Sequence, residues 1–242
     1  TMMAFRGRER IQALFEEISG ARMMHNYFRI GGLKEDLPDN FGQLISDLLP
    51  LLREDIEESD KILTFNEIFL SRLKDIGTIS KSEAIEYGLT GPCLRGCGVD
   101  YDVRKAQPYS VYDRFEFEVP IGLDGDCWDR HWVRVQEMYE SLSIVEQALE
   151  QIPDGPVTSS LGRRLIRPPA GEVYVRAENP RGELGVFLVS NGTDRPYRLK
   201  VRPPSFCNLS ALERLLKDSW IADSVVILGS FDICLLYPSD AS

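Results

Sequence analysis

Apolar residues recur at helical spacing through the first two thirds of the chain and at strand-like spacing only after that. Ile11, Leu14, Phe15 and Ile18 fall three and four apart, on one stripe of a helix that ends near Ser19-Gly20. A second helix is predicted over about 40–63, with Leu44, Ile45, Leu48, Leu52 and Ile56 facing inward and Pro50 kinking it, because proline removes one ladder bond. Ser80-x-x-Glu83 has the form of a capping box that opens a short helix to about Tyr87. The longest stripe, Trp132, Val135, Tyr139, Leu142, Val145 and Leu149, follows a cap at Asp126 and stops at Pro153-Asp154-Gly155-Pro156. Its length corresponds to about six turns.

From 155 to 169 the sequence has no period and reads as a surface linker. Segments 172–177, 183–190 and 195–202 are then rich in Val, Tyr, Phe and Leu, with Asn191-Gly192 as a hairpin signal, which predicts a small antiparallel sheet. Two closing helices are expected over about 209–217 and 221–228. The fold class is therefore α+β, mainly helical, with the sheet in the C-terminal third. Residues 1–155 form its helical part and 156–233 the sheet and terminal helices of the same domain.

With 43 % hydrophobic residues among 242, the chain can bury an ordinary core. Its 28 Lys+Arg against 38 Asp+Glu leave a formal charge of −10, and no basic cluster interrupts the excess, which argues against nucleic acid. The longest apolar runs, such as Val225 to Leu228, fall far short of the roughly 20 residues of a membrane span. The opening Thr1-Met2-Met3-Ala4-Phe5-Arg6 lacks the pattern of a signal peptide, and a chain opening on Thr is expected to be cut from a longer one.

Cys93, Cys97, Cys127, Cys207 and Cys234 are odd in number and lack C-x-x-C spacing, so free thiols in a reducing compartment are expected. Cys93 and Cys97 share a helical face, but two sulfurs are half of a tetrahedral site and only His131 is near in sequence; no metal is expected. There is no glycine-rich phosphate or dinucleotide loop, and two histidines give a hydrolytic triad little to build on.

Two places hold unusual chemistry. Charged, aromatic and glycine residues crowd from Leu94 through Arg95, Asp102, Arg104 and Lys105 to Tyr109, Tyr112, Asp113 and Arg114. They form either a buried ionic network that positions a loop or a solvated loop with incidental ion pairs. The second place is His25, in Met23-Met24-His25-Asn26-Tyr27-Phe28-Arg29, either a satisfied structural histidine or a proton-coupled one.

The strings G-A-R-M-M-H-N-Y-F-R-I-G-G from Gly20 and G-L-T-G-P-C-L-R-G-C-G-V-D-Y-D-V-R-K-A-Q-P-Y-S-V-Y-D from Gly88 resemble the family of D-type subunits of NADH:quinone oxidoreductase, respiratory complex I. So do R-G-E-L-G-V-F-L-V-S-N-G from Arg181 and R-P-Y-R-L-K-V-R-P-P-S-F from Arg195. The resemblance implies a fold like the large subunit of nickel–iron hydrogenases without its metal-holding cysteines. It implies a polypeptide that lines the quinone cavity beside a 4Fe-4S cluster held by a partner, in a proton-pumping complex on the cytoplasmic face of the bacterial inner membrane. The chain itself would bind no cofactor. Its partners would be the quinone and other complex I subunits: the cluster-bearing B-type, the C-type and the membrane-embedded H-type.

By that resemblance His25 matches the histidine that approaches the terminal cluster, and Arg29, one helical turn on, adds positive potential or pairs with a carboxylate. Asp232 matches an aspartate lining the quinone cavity, and Cys234 takes a lining position usually held by a small apolar residue. Arg95, Asp102, Arg104, Lys105, Tyr109 and Asp113 look like a loop-shaping element that contacts neighbouring subunits. The family's N-terminal third, with the loop histidine and the tyrosine that hold the quinone headgroup, is not matched, so the chain alone is expected to be inactive. Cys93 and Cys97 replace a usual Met and Ser, as packing variants. The tail 234–242 departs from the family and resembles translated adapter sequence. The alternatives are a hydrogenase-type large subunit, which needs a second sulfur beyond Cys234, and a structural fragment without activity.

Overall fold

The computed structural model describes residues 2–159 and 166–234. The middle of the expected linker, 160–165, and the tail from 235 lie outside the described residues. The elements run α1 (Met2–Ser19), β1 (Phe28–Arg29), β2 (Gly32–Leu33), α2 (Phe41–Leu63), α3 (Glu67–Leu73), α4 (Lys81–Glu86), α5 (Pro92–Arg95) and α6 (Val103–Ala106). After a 3-10 turn at Tyr112–Arg114 come α7 (Cys127–Gln151), β3 (Gly171–Asn179), β4 (Gly182–Ser190), β5 (Arg198–Arg202), α8 (Pro204–Leu209), α9 (Leu212–Leu216) and α10 (Ile221–Ser230). The class is α+β, as the periodicity predicts.

Contacts divide the chain into two compact units, Thr1–Leu63 with Met138–Leu165, and Thr64–Glu137 with Ile166–Ser242. In the first, Ile45, Leu49 and Leu142 form a buried core, with Leu14, Phe41, Leu52, Ile56 and Leu149 packed on it. Leu49, one turn after Ile45, takes the deep position, while Leu48 is only half-buried. Arg6 and Arg10 of α1 both reach the buried carboxylate of Asp55 in α2, each at 2.6 Å. α2 runs on through Pro50.

In the second unit the sheet has the order β3-β4-β5, antiparallel throughout. β3 and β4 pair from Gly171↔Ser190 to Asn179↔Gly182, so Pro180-Arg181 makes a two-residue turn that the sequence pattern does not mark. At the other connection Asn191 accepts from Thr193 N and Thr193 Oγ1 at 3.2 and 2.7 Å, and the loop is longer than the Asn-Gly signal implies. β5 begins at Arg198, not at 195, because Pro196 has no N–H to offer the ladder; Tyr197 N already bonds Val189 O at 2.9 Å. The helix expected over 209–217 is only α9, starting at Leu212, and a separate α8 that the pattern does not predict ends at Leu209. Ser210 Oγ donates to Tyr87 O and Cys207 O, each at 2.7 Å, and local side-chain bonding of this kind competes with helix continuation.

The start of α7 explains how a helix rich in charge can be buried. Asp126 caps it, accepting from Asp129 N at 2.8 Å, and Asp129 Oδ2 sits in a nest of three N–H groups from Leu123, Asp124 and Gly125. Arg130, fully buried, donates to Gly125 O, Gly77 O and Ser230 Oγ at 2.9, 2.8 and 2.9 Å and lies over the Phe231 ring. One guanidinium thus pins two loops and the end of α10. The apolar core around it includes Leu73, Ile79, Leu89, Leu94, Ile227 and Phe231. Ser80 and Glu83 form the capping box that their spacing predicts.

Gly91 and Gly182 let two backbones touch. Gly91 has φ +62°, and a Cβ there would stand 2.3 Å from Gly182 Cα. Gly91→Ala is expected to lower the unfolding free energy by about 2 kcal/mol, as overpacking a rigid contact does, measured by urea denaturation at constant slope.

Candidate functional site

Leaving α1, the chain turns at Gly20 (φ +75°) and folds back, placing His25 against the helix it has just left. His25 Nδ1 lies 2.8 Å from Ala21 O and 3.3 Å from Ser19 Oγ, and its ring stands 4.8 Å from that of Phe15. A carbonyl only accepts, so Nδ1 carries the hydrogen and Nε2 the lone pair. The flanking residues Met24 and Asn26 both have left-handed backbone, φ +54° and +46°. Two such residues around one histidine fix where the ring points at some cost in strain.

The following hairpin pairs Phe28 with Leu33 and Arg29 with Gly32. It is anchored by Leu33 N to Val157 O at 3.0 Å, Ser159 N to Gly31 O at 2.7 Å and Thr158 Oγ1 to Leu33 O at 2.8 Å. His25 lines a cavity of about 650 Å³ walled mainly by Phe15, Ile18, Met24, Tyr27, Phe28 and Phe41. Of the lining residues Met24 and Phe28 are exposed, Phe28 by 86 %, and so are Met23 and Ile30, near them in sequence. Burial raises the Tyr27 phenol above its ordinary range, and its hydroxyl donates to Glu35 O at 2.9 Å. Arg29 is exposed and lies on β1. It is not one helical turn beyond His25, because the positive φ at Asn26 and the strand at Phe28–Arg29 end any helical path between them.

In the second unit Arg95, 1 % exposed, is the hub of a buried ionic network. Its Nε donates to Glu137 Oε1 at 2.7 Å, and its Nη2 lies 2.6 Å from Glu137 and 3.0 Å from Glu178. Nη1 donates to Tyr101 O at 3.1 Å and faces Asp102 at 3.5 Å. Asp102 is also gripped by Arg104 at 2.6 Å and caps α6 through Arg104 N. Burial pushes Asp102 up, but the Arg104 bonds and the charges of Arg104 and Arg95 outweigh it and hold the carboxyl below its usual range. For Glu137 and Glu178 burial wins over the arginines, and both stand above the usual range.

The other residues of the segment surround that hub. Lys105 Nζ lies 4.3 Å over the Phe117 ring, which Arg104 also faces at 4.9 Å. Tyr109 Oη accepts from Glu178 N at 3.0 Å, while Asp113 is exposed on the 3-10 turn. Asp232 is exposed with φ +51°, its carbonyl accepting from Arg181 Nε at 2.9 Å, and Cys234 N donates to Ser205 Oγ at 3.1 Å. His25 and Arg29 belong to the first unit; Asp232, Cys234 and the Arg95 network belong to the second.

Cys93 and Cys97 are both buried, with Cys97 Sγ donating to Cys93 O at 3.1 Å, and burial pushes the Cys97 thiol up to about 12. Among the described residues no group of three His, Cys, Asp or Glu side chains is placed to hold a metal, and no helix is long and apolar enough to cross a membrane.

The sequence matches the family described as "Respiratory-chain NADH dehydrogenase, 49 Kd subunit" over residues 1–166 and 161–236. The chain belongs to this family. It is 47 % identical over 231 residues to the D-type subunit of the NADH-quinone oxidoreductase of Desulforamulus reducens, covering 96 % of this chain and 63 % of that relative. With the D-type subunit of Bacillus mycoides it shares 48 % over 235 residues, 97 % of this chain and 64 % of that one. With D-type subunit 1 of a Roseiflexus species it shares 47 % over 241 residues, again 97 % and 64 %. The chain thus spans less than two thirds of the length of these 49 Kd-family relatives.

The sequence alone singles out Arg95 but not its carboxylates Glu137 and Glu178, nor Arg130. A signal is present in α7: Asp126, Arg130, Arg134 and Glu137 recur at spacings of four and three, a charged stripe in a helix whose apolar stripe is thin over the same turns. Arg95→Met, which strands buried carboxylates, is expected to lower stability by about 3–5 kcal/mol. Arg95→Lys should recover only part of this, since an ammonium cannot fork between two carboxylates, and urea unfolding of both variants measures the difference.

Proposed function

We propose that this chain supplies a wall of the quinone-reduction chamber of a proton-pumping NADH:quinone oxidoreductase, with His25 as its proton-coupled residue. Family membership supports the assignment to that complex. The observation that carries the role of His25 is its placement. It is half-buried beside a surface cavity, with Nδ1–H committed to Ala21 O, so Nε2 is the atom free to take up a proton.

In this reading the exposed apolar residues Met23, Met24, Phe28 and Ile30 form the surface on which the cluster-bearing B-type partner docks. A 4Fe-4S cluster held by that partner would supply the electrons for quinone reduction. His25 Nε2 would take up a proton against the negative charge that such a cluster gains when reduced, and Arg29 on the same exposed hairpin would add positive potential. Asp232 and Cys234 line the quinone cavity. The segment from Arg95 through Asp102, Arg104, Lys105 and Tyr109 to Asp113 shapes contacts with neighbouring polypeptides, the C-type and the membrane-embedded H-type among them. The chain sits peripherally on the cytoplasmic face of the inner membrane, holds no cofactor of its own, and shares its fold with hydrogenase large subunits.

The test is His25→Met in a full-length member of the family. The midpoint potential of the terminal cluster is expected to lose its dependence on pH while the complex still assembles. An unchanged slope would remove His25 from the mechanism.

A further inference from the structure

Ser19, the last residue of α1, is 8 % exposed and lies six positions before the histidine of the cavity. Four groups converge on its hydroxyl: Phe15 O at 2.6 Å, Ala21 O at 3.2 Å, His25 Nδ1 at 3.3 Å and Ala21 N at 3.4 Å. A hydroxyl has one hydrogen to give and two lone pairs to offer. The shortest contact takes the hydrogen, with the serine bonding back to the carbonyl four residues earlier. The oxygen is then an acceptor, and the N–H groups that face it are those of Ala21 N and His25 Nδ1.

The same hydroxyl bears on the second acceptor of the ring. Gly20 (φ +75°) turns the chain out of α1, and Ala21 is then held through its N–H by Ser19 while its carbonyl receives Nδ1–H at 2.8 Å. Most other side chains at the cavity, such as Phe15, Ile18, Leu37 and Phe41, are apolar, and the Tyr27 hydroxyl is turned to Glu35 O. Arg22, the charge nearest to His25 in sequence, is paired with Glu9 and Glu16.

We infer that Ser19 is a positioning residue for His25: its hydroxyl oxygen and the Ala21 carbonyl form a two-acceptor seat that holds the hydrogen on Nδ1 and leaves Nε2 as the basic nitrogen. The inference rests on the reading of His25 as the proton-coupled residue, because the seat decides which nitrogen exchanges a proton. An unconstrained imidazole favours its hydrogen on Nε2, so the opposite tautomer has to be imposed by the bonds that the ring makes.

NMR spectra of the full chain labelled with 15N-histidine, taken at alkaline pH where the ring is neutral, read the tautomer directly. His25→Gln identifies the His25 signals against those of His131. The wild-type chain is expected to carry the hydrogen on Nδ1. In Ser19→Ala the ratio of Nδ1–H to Nε2–H is expected to fall about five-fold, the equivalent of one net hydrogen bond, and Ser19→Thr, which keeps the hydroxyl, is expected to restore it.

A wild-type ratio in Ser19→Ala overturns the seat. So does a wild-type chain with its hydrogen on Nε2, a result that needs no variant to fold. These spectra do not involve the cluster, so a failure here is distinct from an unchanged slope of potential with pH in His25→Met, which would remove the proton-coupled role on which the positioning depends.

Discussion

The second unit is built around the desolvation of one guanidinium. Taking a cation out of water costs several kcal/mol, and Arg95 is 1 % exposed, so its position is tenable only where carboxylates already converge. They come from the start of α6, from α7 and from β3, and the Tyr101 carbonyl joins them, so a single side chain obliges segments far apart in sequence to meet. The segment bearing Arg95, Asp102 and Arg104 is held by this demand together with the apolar packing of Cys93, Leu94, Cys97 and Val103.

Arg130 uses the same logic with different partners. Its bonds go to two carbonyls, a hydroxyl and the Cys127 sulfur, and the Asp126 and Asp129 caps lie just behind it on α7. Charged residues at helical spacing in α7 are thus internal fasteners, and the same spacing on a surface helix would have meant only solvated ion pairs worth little. The glycines at 91 and 182 complete the arrangement by allowing backbone contact where side chains would keep the segments apart.

The hairpin of the first unit is organised in the opposite sense. Its backbone is tied down by bonds to 157–159 and by the left-handed residues on either side of His25, yet its large apolar side chains are left to solvent. Met23, Met24, Phe28 and Ile30 stay exposed on it, apolar area that contributes nothing to the fold by burial. His25 is set within that same frame, its Nδ1 2.8 Å from Ala21 O.

Local pattern alone determined the elements whose signals are local. The stripes of α1, α2 and α7, the Asp126 cap, the Ser80–Glu83 box and the three-stranded sheet all follow from periodicity and capping chemistry within a few residues. Where local pattern misleads, the deciding contact is distant or the backbone is strained: Ser210, between α8 and α9, bonds Tyr87, and Arg29 leaves the helical register because of the backbone at Asn26. Residue type and context likewise mark Arg95 and His25 as unusual without saying what each would face. Glu137 and Glu178 lie 42 and 83 residues from Arg95 along the chain, and only tertiary folding, by removing water from all three, made them one site.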